Sequence, residues 1–209
     1  MTAPRYRALL FDLLTGLLDS WSLWERVAGD PEQGRRWRLA YLAKTYAENA
    51  YRPYEALVRE AALESGLPAA CADRLADRYG ELEPWPEVGE VLGVLRRHCR
   101  LAVVTNCSEA LGHIAAERTG IAFDAVVTAA RAGFYKPHPR PYRLALDELG
   151  TAAETALFVA GSGYDLAGAN AIGMPVFWHN RIGMTAPAAA PAPIAHHGDL
   201  RPLTELVLG

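Results

Sequence analysis

Five polar side chains in this 209-residue chain follow apolar, strand-like segments and have the chemistry of a catalytic centre. They are Asp12, Thr105, Asn106, Lys136 and Asp165. In an open parallel α/β sheet, the loops at the carboxyl ends of the strands converge on one crevice. We therefore predict that these side chains meet at one site. Two carboxylates, a cation, a hydroxyl and an amide suit covalent catalysis through an aspartyl ester.

The segments that must position these residues alternate between strand and helix patterns. Residues 5–11 are predicted to form a buried strand that ends before Asp12, and the alternation of strands and helices begins again at residue 101. The apolar runs are continuous, which is typical of parallel strands buried on both faces. We expect residues 174–180 to form the last strand, and the Pro/Ala-rich stretch 185–198 to be a surface loop.

Residues 20–83 carry the apolar period of helices, and Gly and Pro separate four helical segments. The predicted fold class is α/β, with a Rossmann-like parallel-sheet core of residues 1–17 and 88–209. An all-helical cap of residues 18–87 is inserted after the first strand. An insertion at that point lies over the crevice and can act as a lid.

The composition fits a soluble globular protein, with 51% hydrophobic and 22% charged residues. The net charge of −3 argues against a nucleic-acid or anionic-membrane partner. The three cysteines lack metal-ligand spacing and suit free thiols in a reducing cytosol. Because the first apolar run is too short for a signal peptide or a membrane span, we expect a cytoplasmic protein.

Four sequence blocks occur in an order that resembles the haloacid dehalogenase superfamily over nearly the whole chain. They are FDLLTG at 11–16, VVTN at 103–106, YKP at 135–137 and VAGSGYDLAGA at 159–169. The resemblance implies that Asp12 is a nucleophile and that Lys136 keeps it ionised. It also implies that Asp165 positions or activates the hydrolytic water. Thr105 and Asn106 match polar active-site positions.

Two positions separate this chain from the phosphatases of that superfamily. Phosphatases carry a second Asp two residues after the nucleophile, and an acidic metal ligand five residues before the match to Asp165. Here these positions hold Leu14 and Ala160. A Mg²⁺ site prefers oxygen ligands, above all carboxylates. Because Leu14 and Ala160 supply none, we expect no metal or other cofactor. A magnesium-dependent phosphatase is one alternative, and a catalytically inactive binding protein is another.

The remaining pattern is similar to the L-2-haloacid dehalogenase branch, which works without metal. There the aspartate displaces a leaving group from C2 of a small 2-substituted carboxylate, and water then releases the 2-hydroxy acid. We expect main-chain N–H groups of residues 13–16 to cradle an anion. Arg38 resembles the branch's leaving-group arginine, with a solvated helix face as the alternative. The candidate substrate-binding residues are Leu13, Leu14, Thr15, Arg38, Tyr142, Ser162, Trp178, His179 and Asn180.

Other positions depart from the dehalogenase pattern and change the pocket that receives the leaving group. Leu14, the order Thr15–Gly16 and the run 160–162 are such departures. The segments FDLLTGLLDSW and FWHNR look closer to L-azetidine-2-carboxylate hydrolases, in which a strained ring nitrogen replaces the halide. Both leaving groups stay open. The resemblance and the aromatic cap also predict a homodimer, and one or two cap aromatics are expected to line the pocket.

Overall fold

The computed structural model describes residues 4–48 and 50–209. Its centre is a six-stranded sheet in the order β3-β2-β1-β4-β5-β6, and every neighbouring pair is parallel. The strands are β1 (Ala8–Phe11), β2 (Arg100–Thr105), β3 (Ala125–Thr128), β4 (Ala156–Ala160), β5 (Val176–His179) and β6 (Ala195–His197). This is the strand order of a Rossmann-type sheet, whose crevice opens where the order reverses between β1 and β4.

The central strands β1 and β4 are apolar along their whole length because helices cover both faces of the sheet. All four residues of β1 are fully buried, and alternate residues pack into two separate hydrophobic clusters. The helices α5 (Val88–Leu95), α6 (Glu109–Arg118) and α10 (Pro202–Leu208) contribute to one cluster. The helices α7 (Ala129–Ala132), α8 (Pro139–Leu149) and α9 (Asp165–Asn170) contribute to the other. The α/β parallel-sheet prediction is therefore confirmed.

Four helices lie between β1 and α5, as the helical period predicted. They are α1 (Ser20–Ala28), α2 (Pro31–Ala47), α3 (Tyr54–Glu64) and α4 (Ala70–Asp77), followed by a short 3₁₀ turn. Asp19 and Asp30 cap the first two helices through their carboxylates. The expected helical pattern runs through Asn49, and the expected core begins at residue 1. Asn49 and residues 1–3 lie outside the described residues.

The chain enters and leaves this helical segment along two neighbouring stretches. Asp19 N donates to the Glu83 carbonyl (2.8 Å), and Trp85 N donates to the Leu17 carbonyl (3.0 Å). Leu18 and Pro84 form an antiparallel bridge between them. On this basis we propose residues 18–87 as the inserted cap, and the stretches 17–19 and 83–85 as its paired linkers.

The strand expected at residues 174–180 is present, but the expectation that it is the last one was wrong. β5 occupies that segment, but β6 follows within the stretch expected to be a surface loop. His196 on β6 stacks on Trp178 of β5 with ring centroids 4.3 Å apart, and Ile194 N donates to the Val176 carbonyl. These contacts add a sixth strand at the edge without an apolar run in the sequence.

Candidate active site

Asp12 follows the last residue of β1, and the loop that comes after it holds its carboxylate. Thr15 N and Gly16 N donate to Oδ2 over 3.2 and 3.1 Å. Lys136 Nζ lies 2.7 Å from Oδ1. Two glycines permit this close packing, since a Cβ on Gly16 would lie 2.3 Å from the Asp12 carbonyl oxygen. A Cβ on Gly161 would lie 2.5 Å from Asp12 Oδ2. Hydrogen-bond donors to both oxygens therefore fix the carboxylate at the carboxyl end of β1.

Lys136 lies between two carboxylates, because its Nζ is also 3.2 Å from the Asp165 carboxylate. Burial lowers the pKa of Lys136, but the attraction of Asp12 and Asp165 outweighs burial and the pKa is raised. The lysine is therefore a fixed cation. Asn106 positions its backbone: Lys136 N donates to Asn106 Oδ1 (2.6 Å), and Asn106 Nδ2 donates to the Lys136 carbonyl (3.0 Å).

Asp165 stands at the start of α9 and is buried behind Lys136. Tyr142 donates its hydroxyl to Asp165 Oδ1 over 3.0 Å. Burial raises the pKa of Asp165 to about 6, although Lys136 opposes the shift. A carboxyl group with this pKa changes its charge near neutral pH, which suits a proton acceptor.

A small cavity of about 30 Å³ opens between this cluster and α2. That space holds on the order of one water molecule without movement of the walls. Its lining consists of Asp12, Leu14, Thr15, Arg38, Tyr41, Leu42, Tyr46, Thr105, Asn106, Lys136, Ser162 and Met184. Sheet loops supply one wall and α2 supplies the other, so the crevice is closed by the inserted helices.

Arg38 is buried at this cavity rather than solvated. Its Nη2 donates to Thr15 Oγ1 (3.3 Å), and its guanidinium lies over the rings of Trp21 and Trp24, at 4.8 and 5.2 Å. Within the described residues, its Nε and Nη1 have no hydrogen-bond partner and no carboxylate pairs with it. A buried cation with unused donors is a receptor for an anion.

Two hydroxyl groups of the cavity wall differ in their partners. Thr105 Oγ1 is buried and has no hydrogen-bond partner in the part of the chain described. Ser162 Oγ accepts from the Tyr46 hydroxyl (3.2 Å) and from Tyr164 N (3.3 Å). The unused Thr105 hydroxyl is therefore a further polar contact for a bound ligand.

Six of the residues singled out from the sequence lie outside the cavity lining formed by the described residues. Most of them make a hydrogen bond or a stacking contact with a neighbouring residue. Tyr142 holds Asp165, and His179 Nδ1 lies 2.8 Å from the Gly16 carbonyl. Asn180 binds the Met184 main chain at both N–H (2.7 Å) and carbonyl (2.9 Å). The other three are Leu13, which accepts hydrogen bonds from Leu17 N and Leu18 N, Trp178, which stacks on His196, and Asp165.

The expected anion cradle is already partly occupied. The N–H groups of Thr15 and Gly16 donate to Asp12 itself, so they hold the nucleophile rather than a substrate carboxylate.

Four lining residues had no assigned role in the sequence. Tyr41, Leu42 and Tyr46 follow Arg38 at spacings of three, four and eight residues, which places them on one helix face. That periodicity, counted from Arg38, was the available signal. Met184 lies in an irregular segment and carried no such signal.

Comparisons with known proteins agree with this geometry. A family model described as haloacid dehalogenase-like hydrolase matches residues 6–173. The chain is 30% identical to the (S)-2-haloacid dehalogenase of Pseudomonas sp. (strain YL), covering 96% of this chain and 94% of that protein. It is 38% identical to haloacetate dehalogenase H-2 of Moraxella sp. (strain B), covering 54% of this chain and 51% of that protein. The crystal structure of the L-2-haloacid dehalogenase RSc1362 aligns over 100% of both chains, with a TM-score of 0.86 and 28% identity.

The fold is a Rossmann-like parallel α/β sheet, and a buried aspartate follows its first strand in sequence. The chain belongs to the haloacid dehalogenase-like hydrolases. Among the described residues, no helix is long and apolar enough to span a membrane, and no three His, Cys, Asp or Glu side chains group as a metal site.

Proposed function

We propose that this hydrolase uses Asp12 to displace a leaving group from C2 of a small 2-substituted carboxylate, without a metal ion. One observation carries the proposal: the Asp12 carboxylate and the unpaired Arg38 guanidinium face the same small cavity. A nucleophile and an anion receptor are thus placed for one small anionic substrate. The names of the relatives, which are dehalogenases of 2-haloacids and haloacetate, support the same substrate class.

In the first step, an Asp12 oxygen forms a bond to C2 while the bond from C2 to the leaving group breaks. The leaving group departs with the electron pair. Lys136 holds the attacking carboxylate in an ion pair, with its ammonium 2.7 Å from Oδ1. Arg38 and the Thr105 hydroxyl supply the donors for the substrate carboxylate or for a departing anion.

In the second step, water attacks the carbonyl carbon of the Asp12 ester and releases the 2-hydroxy acid. Negative charge then builds on an oxygen of the former carboxylate. The N–H groups of Thr15 and Gly16 and the Lys136 ammonium already point at these oxygens, so they stabilise that charge. Ionised Asp165 is our candidate to accept the proton of the water.

Two leaving groups fit this scheme. A halide ion would be received by the unused Arg38 donors, as in an L-2-haloacid dehalogenase. In L-azetidine-2-carboxylate the protonated ring nitrogen would leave C2 as a neutral amine that stays attached through the opened ring, and the methylene groups of the substrate suit the apolar wall of Leu14, Leu42 and Met184. The carboxylate of the azetidine would then pair with Arg38.

An NMR product assay with a chelator present tests the proposal. Parallel samples contain L-azetidine-2-carboxylate and each enantiomer of 2-chloropropionate. Conversion to 4-amino-2-hydroxybutyrate identifies ring opening, and conversion of (S)-2-chloropropionate to (R)-lactate identifies inverting dehalogenation. Activity that appears only with magnesium and a phosphomonoester would contradict the proposal and support a phosphatase.

Asp12→Asn should lower turnover by about 1000-fold or more, because the amide is a poor nucleophile of nearly the same shape. Asp19→Asn is the matched control, since Asn also caps a helix well and Asp19 does not line the cavity. Single turnover in ¹⁸O-water should label Asp12 and not the product, because the water attacks the carbonyl carbon of the ester. Full activity of Asp12→Asn would overturn the proposal.

We also propose that two copies of the chain associate. The inserted helices expose Leu39 and Leu63, at 44% and 59% of their full accessible surface. The proposal rests on the resemblance that predicts a homodimer, and an interface on the inserted helices would cover these two side chains.

A further inference from the structure

Two side chains outside the cavity hold the back of the nucleophile loop, residues 12–17. The indole Nε1 of Trp85 donates to the Thr15 carbonyl over 2.9 Å. His179 Nδ1 lies 2.8 Å from the Gly16 carbonyl. Because a carbonyl oxygen only accepts, the proton of this pair stands on His179 Nδ1. Trp85 and His179 thus bind two consecutive peptide groups of the loop.

The first of these peptide groups connects Trp85 directly to Asp12. The Thr15 carbonyl and the Gly16 N–H belong to one planar trans peptide, in which they point in opposite directions. The Gly16 N–H donates to Asp12 Oδ2 over 3.1 Å. A bond from Trp85 at one end therefore orients and polarises the donor at the other end, since hydrogen bonds in a chain strengthen each other.

The second peptide group closes the loop. The Gly16 carbonyl, which His179 binds, shares a peptide plane with the Leu17 N–H. That N–H donates to the Leu13 carbonyl over 3.1 Å. His179 therefore fixes the turn that brings Thr15 N and Gly16 N back to the carboxylate.

A buried acidic residue supports Trp85 through Arg181; within the described residues, no hydrogen bond joins it to His179 Nε2. Glu87 is 1% exposed, and its Oε1 lies 3.2 Å from Arg181 Nη1 and 3.6 Å from His179 Nε2. The Arg181 guanidinium in turn lies 5.2 Å over the Trp85 ring. A buried carboxylate is costly unless it is paired, so this network is a built support.

We propose that Trp85 and His179 form a rear clamp: two positioning residues that align the Asp12 carboxylate for attack on C2. The inference rests on the proposed role of Asp12 as nucleophile. The rear clamp sets the rate of ester formation and not substrate binding, because neither side chain lines the cavity.

The test is single-turnover ester formation on Asp12, measured by rapid quench and mass spectrometry of the intact full-length protein. L-azetidine-2-carboxylate and (S)-2-chloropropionate are both used as probes. Trp85→Phe keeps the ring and removes the N–H, and His179→Leu removes the donor. Each should slow ester formation by about fivefold, the value of one lost hydrogen bond, while the substrate concentration that half-saturates this single-turnover step is unchanged. His179→Asn should restore the rate, because Asn Nδ2 can stand where His Nδ1 stands.

Trp37→Phe is the matched control for a purely structural effect. Trp37 Nε1 also donates to a carbonyl over 2.9 Å, but that carbonyl is Val58 within the inserted helices. We expect both Trp37→Phe and Trp85→Phe to lower the Tm, with the larger loss at the fully buried Trp37, while only Trp85→Phe slows ester formation.

Three results would overturn the rear clamp once wild type forms the ester. They are wild-type rates in both Trp85→Phe and His179→Leu, an equal slowing in Trp37→Phe, and a His179→Asn variant as slow as His179→Leu. A wild-type protein that forms no ester with either probe would instead refute the role of Asp12, and the clamp with it.

Discussion

At the scale of single residues, Arg38 stands out because its charge is buried and no carboxylate of the described residues pairs with it. Removing a charge from water costs several kcal/mol unless an opposite charge compensates. Stacking on Trp21 and Trp24 recovers part of this cost. The compensation that is lacking in the described residues is what a bound anion would supply. Substitution of Arg38 should therefore lower activity without lowering the stability of the fold.

Arg38→Met should lower kcat/KM by about 100-fold, since the variant loses charge-assisted hydrogen bonds to the substrate. Its Tm should equal or exceed that of wild type, because Met fills the site without a buried charge. Acetate should raise the Tm of wild type and not of the variant. Arg36→Met is the control, as Arg36 is exposed on the same helix. A large fall in Tm for Arg38→Met would contradict this account.

The pH dependence of stability and activity depends most directly on Asp165. Burial raises its pKa in the folded protein from 3.8 to about 6. The folded state thus holds this proton more tightly than the unfolded chain does. The resulting stability is fully present below about pH 4 and is lost as the pH rises through about 6. Catalysis has the opposite requirement, because only ionised Asp165 accepts a proton from water.

The rate of ester hydrolysis should therefore fall by about tenfold per pH unit below pH 6, which gives its pH–rate profile an acidic limb. The rate of ester formation should not show this acidic limb. Pre-steady-state quench experiments between pH 4.5 and 8 separate the two steps. Asp165→Asn should accumulate the Asp12 ester and lose the acidic limb. If the acidic limb of ester hydrolysis is unchanged in Asp165→Asn, a group other than Asp165 must be responsible for it.

The sequence was sufficient to group Asp12, Lys136 and Asp165, because each follows a strand of one parallel sheet. It was not sufficient to separate residues that face the cavity from residues that hold them. Tyr142 and Asn180, for example, act on Asp165 and Met184. Such indirect contacts depend on the path of each loop, which spacing along the chain does not specify.

At the scale of elements, long periodic segments were predictable and short ones were not. The helices of the insertion follow from their apolar period. β6 has three residues with two exposed histidines, and its stability comes from pairing and stacking on β5. The local sequence does not show which residues will pair with a strand or stack on it. The short strand β6 and the four-residue helix α7 were therefore not predicted.

The loops after β1 and β4 pack so closely that a single methyl group should disrupt the site. A Cβ on Gly161 would lie 2.3 Å from Gly16 N and 2.5 Å from Asp12 Oδ2. We expect Gly161→Ala to lower the free energy of unfolding by about 2 kcal/mol and to abolish most ester formation. Chemical denaturation and the quench assay measure the two effects.

Gly89→Ala provides the control for this substitution. Gly89 lies in α5 and a Cβ there meets nothing within 4 Å. The variant should be more stable by up to about 1 kcal/mol, because Ala favours helix more than Gly does, and its activity should not change. A Gly161→Ala enzyme with wild-type activity would refute the close-packing argument.

At the scale of the whole molecule, the proposed homodimer has a simple test. Light scattering should give twice the mass of one 22.7 kDa chain. Leu39→Glu together with Leu63→Glu should halve that mass, since burying two unpaired carboxylates between chains is costly. Ile114→Glu is the control, as Ile114 lies on α6 outside the inserted helices. A monomeric wild type would refute the proposal.

The paired linkers separate the part of the chain that carries the reacting groups from the part that forms the opposite wall of the cavity. The reacting groups Asp12, Lys136 and Asp165 belong to the sheet, whereas the opposite wall of the cavity comes from α2. Since the inserted helices begin and end at neighbouring points, recombination can exchange them without reopening the sheet. A library of chimaeras joined at residues 18 and 84 would then change which molecules are accepted while the bond-breaking chemistry is inherited intact.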